Sequence, residues 1–399
     1  MSYVTDNIVA VKVLVIGNGG REHALRWRLE RSPSVEKVYA ATSDYVQFAE
    51  KSGVDLTVVG PEAPLVAGVV DQFRERGMPI VGPTAANAAL EGSKIHSKRF
   101  MEKLGVPTAR FCTVTNTHEA VDALAHFKLP IVLKTDGLAA GKGVIIARSP
   151  SEAEAALAAL PFPMVIEEFL EGEEVSFIVL CDGKRAVPLE PSQDHKRVFD
   201  NDKGPNTGGM GAYSDSLILT AAQRSTIMDT IIEPVVRATN FTGFLYAGLM
   251  MTANGPSVLE FNVRLGDPET QPLMMRLESD WGEVLLAAAN GALKCDSLDW
   301  SPEPATCLVM ASGGYPGTFE TGKKITGIEA VRDAVVFEAA TKRVGDELFT
   351  NGGRVLGVTA RGADLRTSID RAYAAVDQIH FDGMHFRRDI GARGLRRYK

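Results

Sequence analysis

The sequence predicts a multidomain protein of the α/β and α+β classes, and three observations support this fold class. The chain has 399 residues, of which 45% are hydrophobic, so it can bury more than one core. From residue 11 to about residue 90, strand-like apolar runs alternate with segments of helical period, which predicts an open, parallel, Rossmann-like α/β domain. Later segments carry hairpin signals and many strand-like runs, so we expect α+β units there.

The first domain is predicted over 11–90. It begins with an apolar strand at 11–16, which a glycine turn and a helix follow. The same scheme returns as strand, helix and strand at 54–59, 64–76 and 79–81. Residues 1–10 lack the features of a signal peptide, so we interpret them as an extension before the first strand.

The second unit is predicted over 91–302 as an α+β domain, and the third over 303–399 as a small, strand-rich α+β domain. The elements predicted in the second unit are helices at 93–104, 151–160, 221–238 and 280–290 and strands at 131–134, 143–147 and 164–168. An Asn-Gly turn in LMMTANGPSVLEF predicts an antiparallel hairpin. A helix near 364–378 lies among the strand-like runs of the third unit.

Composition and charge exclude several classes of protein. The net charge is -7 and no basic tract is present, which argues against a nucleic-acid partner. The apolar runs are short and interrupted by glycine, so we expect no membrane segment. Cys112, Cys181, Cys295 and Cys307 are scattered without a CxxC pair, which suits a reducing cytoplasm. No HExxH pattern occurs, so oxygen ligands are expected to hold any catalytic metal.

A glycine turn joins the first strand to its helix. Gly17, Gly19 and Gly20 resemble part of a dinucleotide fingerprint, but Glu22 stands where that fingerprint needs glycine, so NAD binding is disfavoured. The favoured interpretation is a phosphate on the N-terminus of the helix, and the alternative is a tight turn without a ligand. GPEAPL, at 60–65, ends another strand of the same sheet, where ligands often bind.

A second glycine loop, KTDGLAAGKGV, is not a Walker A motif. Gly137 and Gly141 are separated by only three residues, and Lys142 is followed by Gly143 instead of Ser or Thr. The loop can still approach phosphate oxygens closely, with Lys142 and the strand-terminal Lys134 as point charges. A hairpin with two solvated lysines is the alternative.

Acidic residues follow the next strand, in VIEEFLEGEEVSF. Glu167 and Glu168 end the strand, and Glu173 and Glu174 lie beyond a glycine. Acidic turns are often only solvated. The alternative is a linker whose backbone meets an adenine edge while one carboxylate binds the ribose hydroxyls.

The stretch SVLEFNVRLGDPETQ is the most informative one. Glu260, Asn262 and Arg264 are spaced by two, so on a strand their side chains share one face, and Asp267 and Glu269 follow. A carboxylate within an apolar strand is costly unless it is paired or bound to a cation. Magnesium, held by carboxylate, amide and phosphate oxygens, meets that requirement. A strand edge with scattered polar residues is the alternative.

Lys134, the loop from Gly137 to Gly143, EEFL and EFNVRLGDPETQ follow one another along the chain. In this order they resemble the motifs of the ATP-grasp superfamily, in which ATP lies between two α+β subdomains. A closer resemblance, to the phosphoribosylamine–glycine ligase family, covers nearly the whole chain from about residue 11 to 393. The stretches that carry it are GNGGREHAL, GPEAPLVAG, LEGSK, KTDGLAAGKGV, SQDHKRVFDNDKGPNTGGMGAYS, GFLYAGLM, EFNVRLGDPETQP and NGGRVLGVTA. The resemblance implies a pre-ATP-grasp first domain, a central ATP-grasp domain with a lid subdomain at about 106–170, and a C-terminal domain.

The resemblance also implies a ligase of de novo purine biosynthesis. ATP would phosphorylate the carboxylate of glycine, and the amine of 5-phosphoribosylamine would attack the acyl phosphate, with Mg²⁺ or Mn²⁺ as cofactor. The implied ATP-binding residues are Lys94, Lys134, Gly141, Lys142, Gly143, Glu167, Glu168, Phe169, Leu170 and Glu174. The implied substrate-binding residues are Gly17, Asn18, Gly19, Gly20, Arg21, Glu22, Gly60, Pro61, Glu62, Asn206, Thr207, Gly208, Gly209, Met210, Gly211, Arg264 and Asp267.

Catalytic roles are expected for Arg264, Lys142, Asp194 and Lys196, and metal binding for Glu260 and Asn262. Arg264 would clamp the carboxylate of glycine. His195 is interpreted as part of a positioning segment and not as a general base.

Two other functions stay open at this point. One is another ATP-grasp carboxylate ligase of purine metabolism, and the other is a nucleotide-binding sensor without catalysis. For the favoured function, the expected partners are small molecules alone, without nucleic acid or membrane. We expect a cytoplasmic monomer or weak dimer.

The chain is shorter than the family at three links, 41–48, 160–164 and 238–242. The second link would lack a lid loop over the phosphates. These links are either true deletions or places where mobile residues are omitted from the printed sequence, and the second explanation is favoured because lids are mobile.

Overall fold

The computed structural model describes residues 10–138 and 143–398. Its first domain is a parallel four-stranded sheet in the order β2-β1-β3-β4, covered by helices, as predicted. Its strands are β1 Val11–Ile16, β2 Val35–Ala41, β3 Leu56–Val59 and β4 Ile80–Val81. Its helices are α1 Gly20–Leu29, α2 Tyr45–Ser52, α3 Glu62–Val66 and α4 Val69–Arg74.

One helix of this domain differs from the prediction. The helix expected at 64–76 is divided into α3 and α4 at Gly68, whose φ of 81° lies in the left-handed region. Glycine adopts that conformation without the steric cost that a Cβ would bring, so the chain can turn there. As a result α3 begins at Glu62, directly after β3.

A small antiparallel sheet, in the order β5-β8-β6-β7, forms one side of the central region. Its strands are β5 Phe111–Val114, β6 Ile131–Thr135, β7 Val144–Ala147 and β8 Met164–Glu168. The helices that contact it are α6 Lys94–Leu104, α7 Thr117–Leu124 and α8 Pro150–Ala159, whereas α5 Ala85–Gly92 packs against α3 and β16 Gly255–Asn262. The sheet falls within the predicted lid subdomain.

The remaining elements are mostly strands. They are β9 Glu173–Asp182, β10 Ala186–Pro188, β11 Ser192–Asp194, β12 Arg197–Phe199, β13 Lys203–Asn206, β14 Gly211–Ser214, β15 Thr242–Thr252, β16 Gly255–Asn262, β17 Ala305–Ala311, β18 Lys324–Ile325, β19 Val335–Glu338, β20 Thr341–Val344, β21 Glu347–Thr350 and β22 Arg354–Arg361. The helices are α9 Ala221–Ile227, α10 Glu233–Thr239, α11 Thr270–Arg276, α12 Trp281–Ala289 and α13 Leu365–Val376, and a π-helical turn joins α9 to α10.

A nine-stranded antiparallel sheet forms the largest layer of the molecule. Its order is β16-β15-β9-β11-β14-β17-β22-β19, and β10 pairs with β9. The predicted hairpin is confirmed, because β15 and β16 pair on either side of Ala253 and Asn254, with Thr252 opposite Gly255. The sheet continues across the predicted boundary at residue 303, since β14 of the central region pairs with β17 of the last one.

The first domain is attached to the large sheet by an apolar core. Val13 and Val15 of β1 belong to one buried cluster with Phe244 of β15 and Trp281 of α12, and Trp281 is fully buried. Burial of such residues stabilises by about 2 kcal/mol each. The carboxyl ends of the first sheet are therefore held beside the large sheet.

At each of the three short links, a few residues connect the two flanking elements. Three residues separate β2 from α2, and β8 and β15 begin shortly after α8 and α10. That residues are omitted at these links stays a prediction. Within 10–138 and 143–398, no helix is both long enough and apolar enough to cross a membrane.

Candidate active site

A cavity of about 820 Å³ lies between the small sheet and the large sheet. The first domain and the C-terminal region complete its walls. Charged side chains from all these parts face it, among them Glu62, Glu91, Lys94, Lys98, Lys134, Glu167, Asp194, Lys196, Asp202, Glu260, Arg264, Asp267, Glu269, Arg354 and Arg393. Such a concave, charged space is where small charged substrates are expected to bind.

Two lysines and one carboxylate form a closed cluster on the side of the small sheet. Glu167, at the end of β8, forms ion pairs with Lys134 of β6 and Lys98 of α6. Lys98 also donates to Thr108 Oγ1 at 2.7 Å, and Lys134 donates to the Leu259 carbonyl at 3.0 Å. Burial lowers the pKa of Lys98 to about 8, although Glu167 opposes the shift. Glu167 thus holds Lys134 in place, and its carboxylate is not free for a ribose.

A second, open pair joins the segment after β11 to strand β16. The Lys196 ammonium lies 3.5 Å from a Glu260 carboxylate oxygen, and both face the cavity. Lys196 is the main reason that the pKa of Glu260 is held at about 2. Burial alone would lower the pKa of Lys196, but Asp194, Glu260 and Glu174 raise it well above its usual range. Burial raises the pKa of Asp194 to about 7, with Lys196 opposing the shift.

Arg264 lies just beyond β16, where two carboxylates of the first domain and its border meet it. Its guanidinium contacts Glu91 at 2.7 Å and Glu62 at 3.5 Å, and it donates to Asn262 Oδ1 at 3.0 Å. Burial alone would raise the pKa of Glu62, but Arg264 and Arg21 outweigh it and hold that pKa below its usual range. The looser contact, to Glu62, is the one that a substrate carboxylate can replace most easily.

Glu260 and Asn262 supply oxygen ligands that fit a divalent cation. Both belong to β16 and line the same cavity, as their spacing of two predicts. Glu260 carries a charged carboxylate at neutral pH because its pKa is about 2. Among the residues that the structure describes, no three His, Cys, Asp or Glu side chains are grouped as a metal site. A cation held here would therefore need phosphate oxygens and water as further ligands, as Mg²⁺ commonly does.

The turn at Gly17–Gly20 does not have the structure expected of a phosphate site. The Glu22 carboxylate accepts from the Gly19 amide and from Arg21 Nε, so an anion already covers the N-terminus of α1. A Cβ on Gly60 would lie 2.2 Å from Glu22 Oε1, so this glycine makes room for that carboxylate. A phosphate would meet a buried negative charge at this turn. The phosphate at this turn therefore stays a prediction, and one that the position of Glu22 disfavours.

Of the first domain's predicted substrate residues, only two line the cavity. These are Arg21 and Glu62. The predicted residues Gly17, Asn18, Gly19, Gly20, Glu22, Gly60 and Pro61 are not among the residues that line the cavity. Glu22 supports the wall through Arg21, whose guanidinium donates to the Glu22 carboxylate and, at 3.0 Å, to the Leu265 carbonyl.

The loop after β13 is divided in the same way. Asn206, Thr207 and Gly208 line the cavity, whereas Gly209, Met210 and Gly211 do not. A Cβ on Gly209 would lie 2.5 Å from Pro268, and one on Gly211 would lie 2.7 Å from the Cys307 carbonyl. The glycines of this second half permit close packing, so a direct substrate contact by these three residues stays a prediction that the structure does not favour.

An arginine of the C-terminal region was not singled out from the sequence. Arg354, at the start of β22, donates to Asp267 Oδ2 at 2.7 Å and to the carbonyls of Asp267 and Gly208 at 2.6 and 2.8 Å. It therefore joins the last domain to two of the predicted substrate-binding segments. Burial alone would raise the pKa of Asp267, but Arg354 and Arg21 lower it below its usual range.

The predicted ATP-binding residues of the linker face the cavity. Glu168, Phe169, Leu170 and Glu174 line it, and Glu168 Oε1 accepts from the Arg110 amide at 2.9 Å. Lys94 donates to the Gly137 carbonyl at 2.8 Å, at the base of the glycine loop.

Two predicted residues, Gly141 and Lys142, lie outside the described residues. Gly143 lines the cavity, and its carbonyl accepts from the Thr135 amide at 2.9 Å. His195 does not face the cavity and is 2% exposed. Burial, together with the nearby Arg393 and Arg387, lowers the pKa of His195 to about 3, so its ring stays neutral.

Several site residues were missed because only the fold brings them to the cavity. The charged ones are Glu91, Lys98, Arg148, Glu171, Arg197, Asp202, Glu269, Arg354 and Arg393. Glu91 stands within the LEGSK motif and Arg354 within NGGRVLGVTA, so both were quoted without a role. No local pattern distinguishes Lys98 or Arg393 from a solvated surface charge.

Sequence models of three domains match the chain. That of the phosphoribosylglycinamide synthetase N domain matches residues 11–45 and 41–91, that of the ATP-grasp (A) domain residues 92–270, and that of the C domain residues 305–393. The two N-domain segments meet at the first short link.

A relative and two solved structures are similar over most of the chain. Phosphoribosylamine–glycine ligase of Allochromatium vinosum is 47% identical over 425 residues, covering 97% of this chain and 99% of the relative. The crystal structure of phosphoribosylamine–glycine ligase from Thermotoga maritima has a TM-score of 0.82 at 32% identity, covering 95% of this chain and 100% of that one. The biotin carboxylase domain of Hydrogenobacter thermophilus 2-oxoglutarate carboxylase, solved with MgADP and bicarbonate, has a TM-score of 0.71 at 17% identity, covering 94% and 91%. That last likeness shows the fold alone.

The alignment with the Allochromatium relative spans 425 positions, more than the 399 residues of this chain, so the relative contains residues that this chain lacks. The predicted α/β and α+β multidomain fold is confirmed by the three domain matches and by the Thermotoga structure. The chain matches the models of all three domains, and 97% of it aligns with a relative that is 47% identical. It therefore belongs to the phosphoribosylamine–glycine ligase family.

Proposed function

We propose that the protein ligates glycine to 5-phosphoribosylamine at the expense of ATP, giving glycinamide ribonucleotide, ADP and phosphate in de novo purine biosynthesis. The observation that carries the proposal is that Lys134, Glu260 and Arg264 face one cavity. Those three side chains supply a phosphate-binding cation, a metal-binding carboxylate and a carboxylate-binding guanidinium. The reaction needs these groups together.

The first step transfers the γ-phosphoryl group of ATP to glycine. A carboxylate oxygen of glycine attacks the γ-phosphorus, the bond to the β-phosphate oxygen breaks, and ADP leaves with its electron pair. Lys134 is fixed by Glu167 and therefore meets the phosphates without reorganising. Bound at Glu260 and Asn262, Mg²⁺ or Mn²⁺ would neutralise charge on the phosphates.

The second step forms the amide bond. The amine of phosphoribosylamine attacks the carbonyl carbon of glycyl phosphate, phosphate leaves, and the nitrogen loses a proton to water or to the departing phosphate. No nucleophilic side chain is needed, because the acyl phosphate is already reactive and positioning supplies most of the acceleration. Lys196, which faces the same cavity as Glu260, contributes positive charge where phosphate develops.

Glycine is assigned to Arg264. A guanidinium can hold a carboxylate through two parallel hydrogen bonds. Glu91 fixes one side of the guanidinium at 2.7 Å, while Glu62, at 3.5 Å, leaves the other side loosely paired. The glycine carboxylate then takes the place of the Glu62 contact, and Glu62 becomes available to the ribose hydroxyls.

The phosphate of the ribosylamine is assigned to the wall formed by Arg354 and the loop 206–208. Arg354 is the cation that bridges this loop to Asp267, whereas the turn at Gly17–Gly20 is covered by a carboxylate. Arg354→Met should raise KM for phosphoribosylamine by about tenfold and leave KM for ATP nearly unchanged. An equal rise in both constants would contradict this assignment.

The experiment that tests the function is an assay of ADP release with one substrate omitted at a time. Release that requires both glycine and phosphoribosylamine is the expected result. Formate and bicarbonate should not replace glycine. If either does, the protein is another ATP-grasp carboxylate ligase and the proposed substrate pair is wrong.

The setting of the reaction is proposed as well. All predicted site residues come from one chain, so a monomer or weak dimer suffices for catalysis, without nucleic acid. The four cysteines form no disulfide, which suits the cytoplasm. Sedimentation at assay concentration tests the first point, and cell fractionation tests the second.

A further inference from the structure

A short hairpin stands apart from the main sheets at one end of the cavity. Strands β12 and β13, with the tip Asp200–Asp202 between them, form a two-stranded sheet of their own. Asp194 and Lys196 lie immediately before the hairpin, and the loop 206–208 immediately after it. The position of the hairpin therefore affects both of these predicted site segments.

The tip of the hairpin has an unfavourable backbone. Asn201 and Asp202 have φ of 57° and 53°, in the left-handed region. Asn and Asp adopt this region more readily than other residues with a Cβ, but less readily than glycine. Contacts outside the hairpin can therefore help to fix this conformation.

Those contacts come from residues 385–393, which we call the C-terminal clamp. Two of them are backbone amides bound to carboxylates: Asn201 N–H donates to Asp389 Oδ2 at 2.9 Å, and Arg388 N–H donates to Asp200 Oδ1 at 2.8 Å. Ion pairs reinforce them, since Asp202 accepts from Arg387 at 3.0 Å and from Arg393 at 2.7 Å.

Arg387 is the centre of the clamp. It is 1% exposed, holds Asp389 through two hydrogen bonds of 2.7 Å, and donates to the Arg197 carbonyl at 3.0 Å. Burial alone would raise the pKa of Asp389, but its hydrogen bonds with Arg387 and Asn201 hold that pKa at about 2. A buried, fully paired guanidinium of this kind fixes geometry well.

The clamp reaches the cavity wall itself. Asp202 and Arg393 both line the cavity, on the same side as Asn206, Thr207 and Arg354. Lys196 is connected to this side too, because its carbonyl accepts from the Thr207 amide and from the Thr207 hydroxyl, both at 2.8 Å. The segment Glu168–Leu170, which is predicted to bind ATP, lies elsewhere, at the end of β8.

We propose that the C-terminal clamp positions the acceptor half of the active site, with Arg387 and Asp389 as positioning residues for phosphoribosylamine. The inference rests on the proposed function, because it names the substrate whose binding depends on the hairpin. ATP is assigned to the side of the small sheet, whose described residues the clamp does not contact directly. Loss of the clamp therefore raises KM for one substrate selectively.

The test compares Asp389→Asn with Asp377→Asn in the full-length enzyme. Asp377 is exposed, lies in the same C-terminal domain, and its carboxylate has no ion pair among the described residues, so it is a matched control for the same chemical change. Asp389→Asn should raise KM for phosphoribosylamine by about tenfold, because small misplacements of a binding group are costly. KM for ATP should stay within about twofold, and the control should match the unaltered enzyme.

Hydrogen exchange supplies a readout that does not depend on activity. The Asn201 amide loses its carboxylate partner in Asp389→Asn, so exchange in the peptide covering the hairpin tip should become about tenfold faster, while β15 is unchanged. Equal rises in both KM values together with a lower Tm would mean a merely structural role and overturn the inference. Unchanged exchange at the tip would also overturn it.

Failure of the proposed function gives a different result. If the unaltered enzyme releases no ADP with glycine and phosphoribosylamine, the substrate assignment fails. Faster exchange confined to the hairpin in Asp389→Asn would then still support the clamp as the element that holds the hairpin.

Discussion

The cavity contains two lysine–carboxylate clusters that differ in how completely they are paired. In the first, both oxygens of Glu167 are engaged by lysines, and Glu167 and Lys98 are 1% and 2% exposed. In the second, Lys196 and Glu260 are 3.5 Å apart, and their side chains are 32% and 36% exposed. The first is a closed cluster and the second is an open one.

This difference indicates which charged side chains can exchange a protein partner for a ligand during a reaction. A closed buried cluster loses several kcal/mol when one member is removed, so it acts as a fixed part of the wall. An open pair is screened by solvent and contributes little to stability. Its charges remain available to a ligand. We therefore expect substitutions in the open cluster to affect turnover and those in the closed cluster to affect stability first.

The largest effect is expected from Glu260→Ala. Removal of the metal-binding carboxylate should lower kcat by about 10³-fold even with saturating glycine, because charge on the phosphates is no longer neutralised. The measurement is ADP release across a range of metal concentrations. Tm should change little, and normal metal-dependent turnover would show that β16 does not bind the metal.

In the closed cluster, Glu167→Gln should destabilise the protein by about 3 kcal/mol, because two buried lysines lose their common counterion. Glu168→Gln is the matched control, since the neighbouring carboxylate is half-buried and, among the described residues, accepts from the Arg110 amide and forms no ion pair. Thermal unfolding measures both. Equal Tm values for the two variants would remove the distinction between closed and open clusters.

A smaller effect is expected at Arg264, which lies between the clusters and the first domain. Arg264→Lys keeps the charge but loses the planar fork, so KM for glycine should rise by about tenfold while KM for ATP is unchanged. Initial rates at varied glycine and fixed ATP measure this. Unaltered glycine dependence would mean that another residue binds the carboxylate.

The smallest effect concerns pH. The folded pKa of Glu260, about 2, lies below the ordinary value of 4.5, so its pairing stabilises the protein above pH 4.5. That contribution is lost as pH falls toward 2. After screening by solvent it should amount to about 1 kcal/mol or less. Tm of the unaltered protein minus that of Glu260→Gln should therefore shrink between pH 5 and pH 3, and a growing difference would contradict the linkage.

Prediction from the sequence succeeded where the spacing of residues within one strand is enough to place their side chains together. Glu260 and Asn262 are two apart on a strand, and the fold turns them to the same cavity, because strand geometry alone determines that relation. The parallel first sheet and the β15–β16 hairpin followed from local patterns as well. These elements need no information from distant parts of the chain.

Prediction from the sequence was ambiguous where one local pattern serves two purposes. Glycines that admit a phosphate and glycines that admit the Glu22 carboxylate have the same appearance in a sequence. Arg354 and Arg393 could not be assigned, because their partners Asp267 and Asp202 lie far away along the chain. Only the tertiary pairing gives these arginines their role.

The nine-stranded sheet has a consequence for cutting the protein into parts. The ATP-grasp match ends at residue 270 and the C-domain match begins at residue 305. These bounds suggest a fragment of the first 302 residues as a unit for expression. That fragment would end the sheet at β14, whose four residues are all buried and would lose their partner strand β17. An uncovered apolar strand edge recruits other chains, so the fragment should aggregate. The boundary between the two family matches therefore does not divide the folded protein into units that are stable on their own.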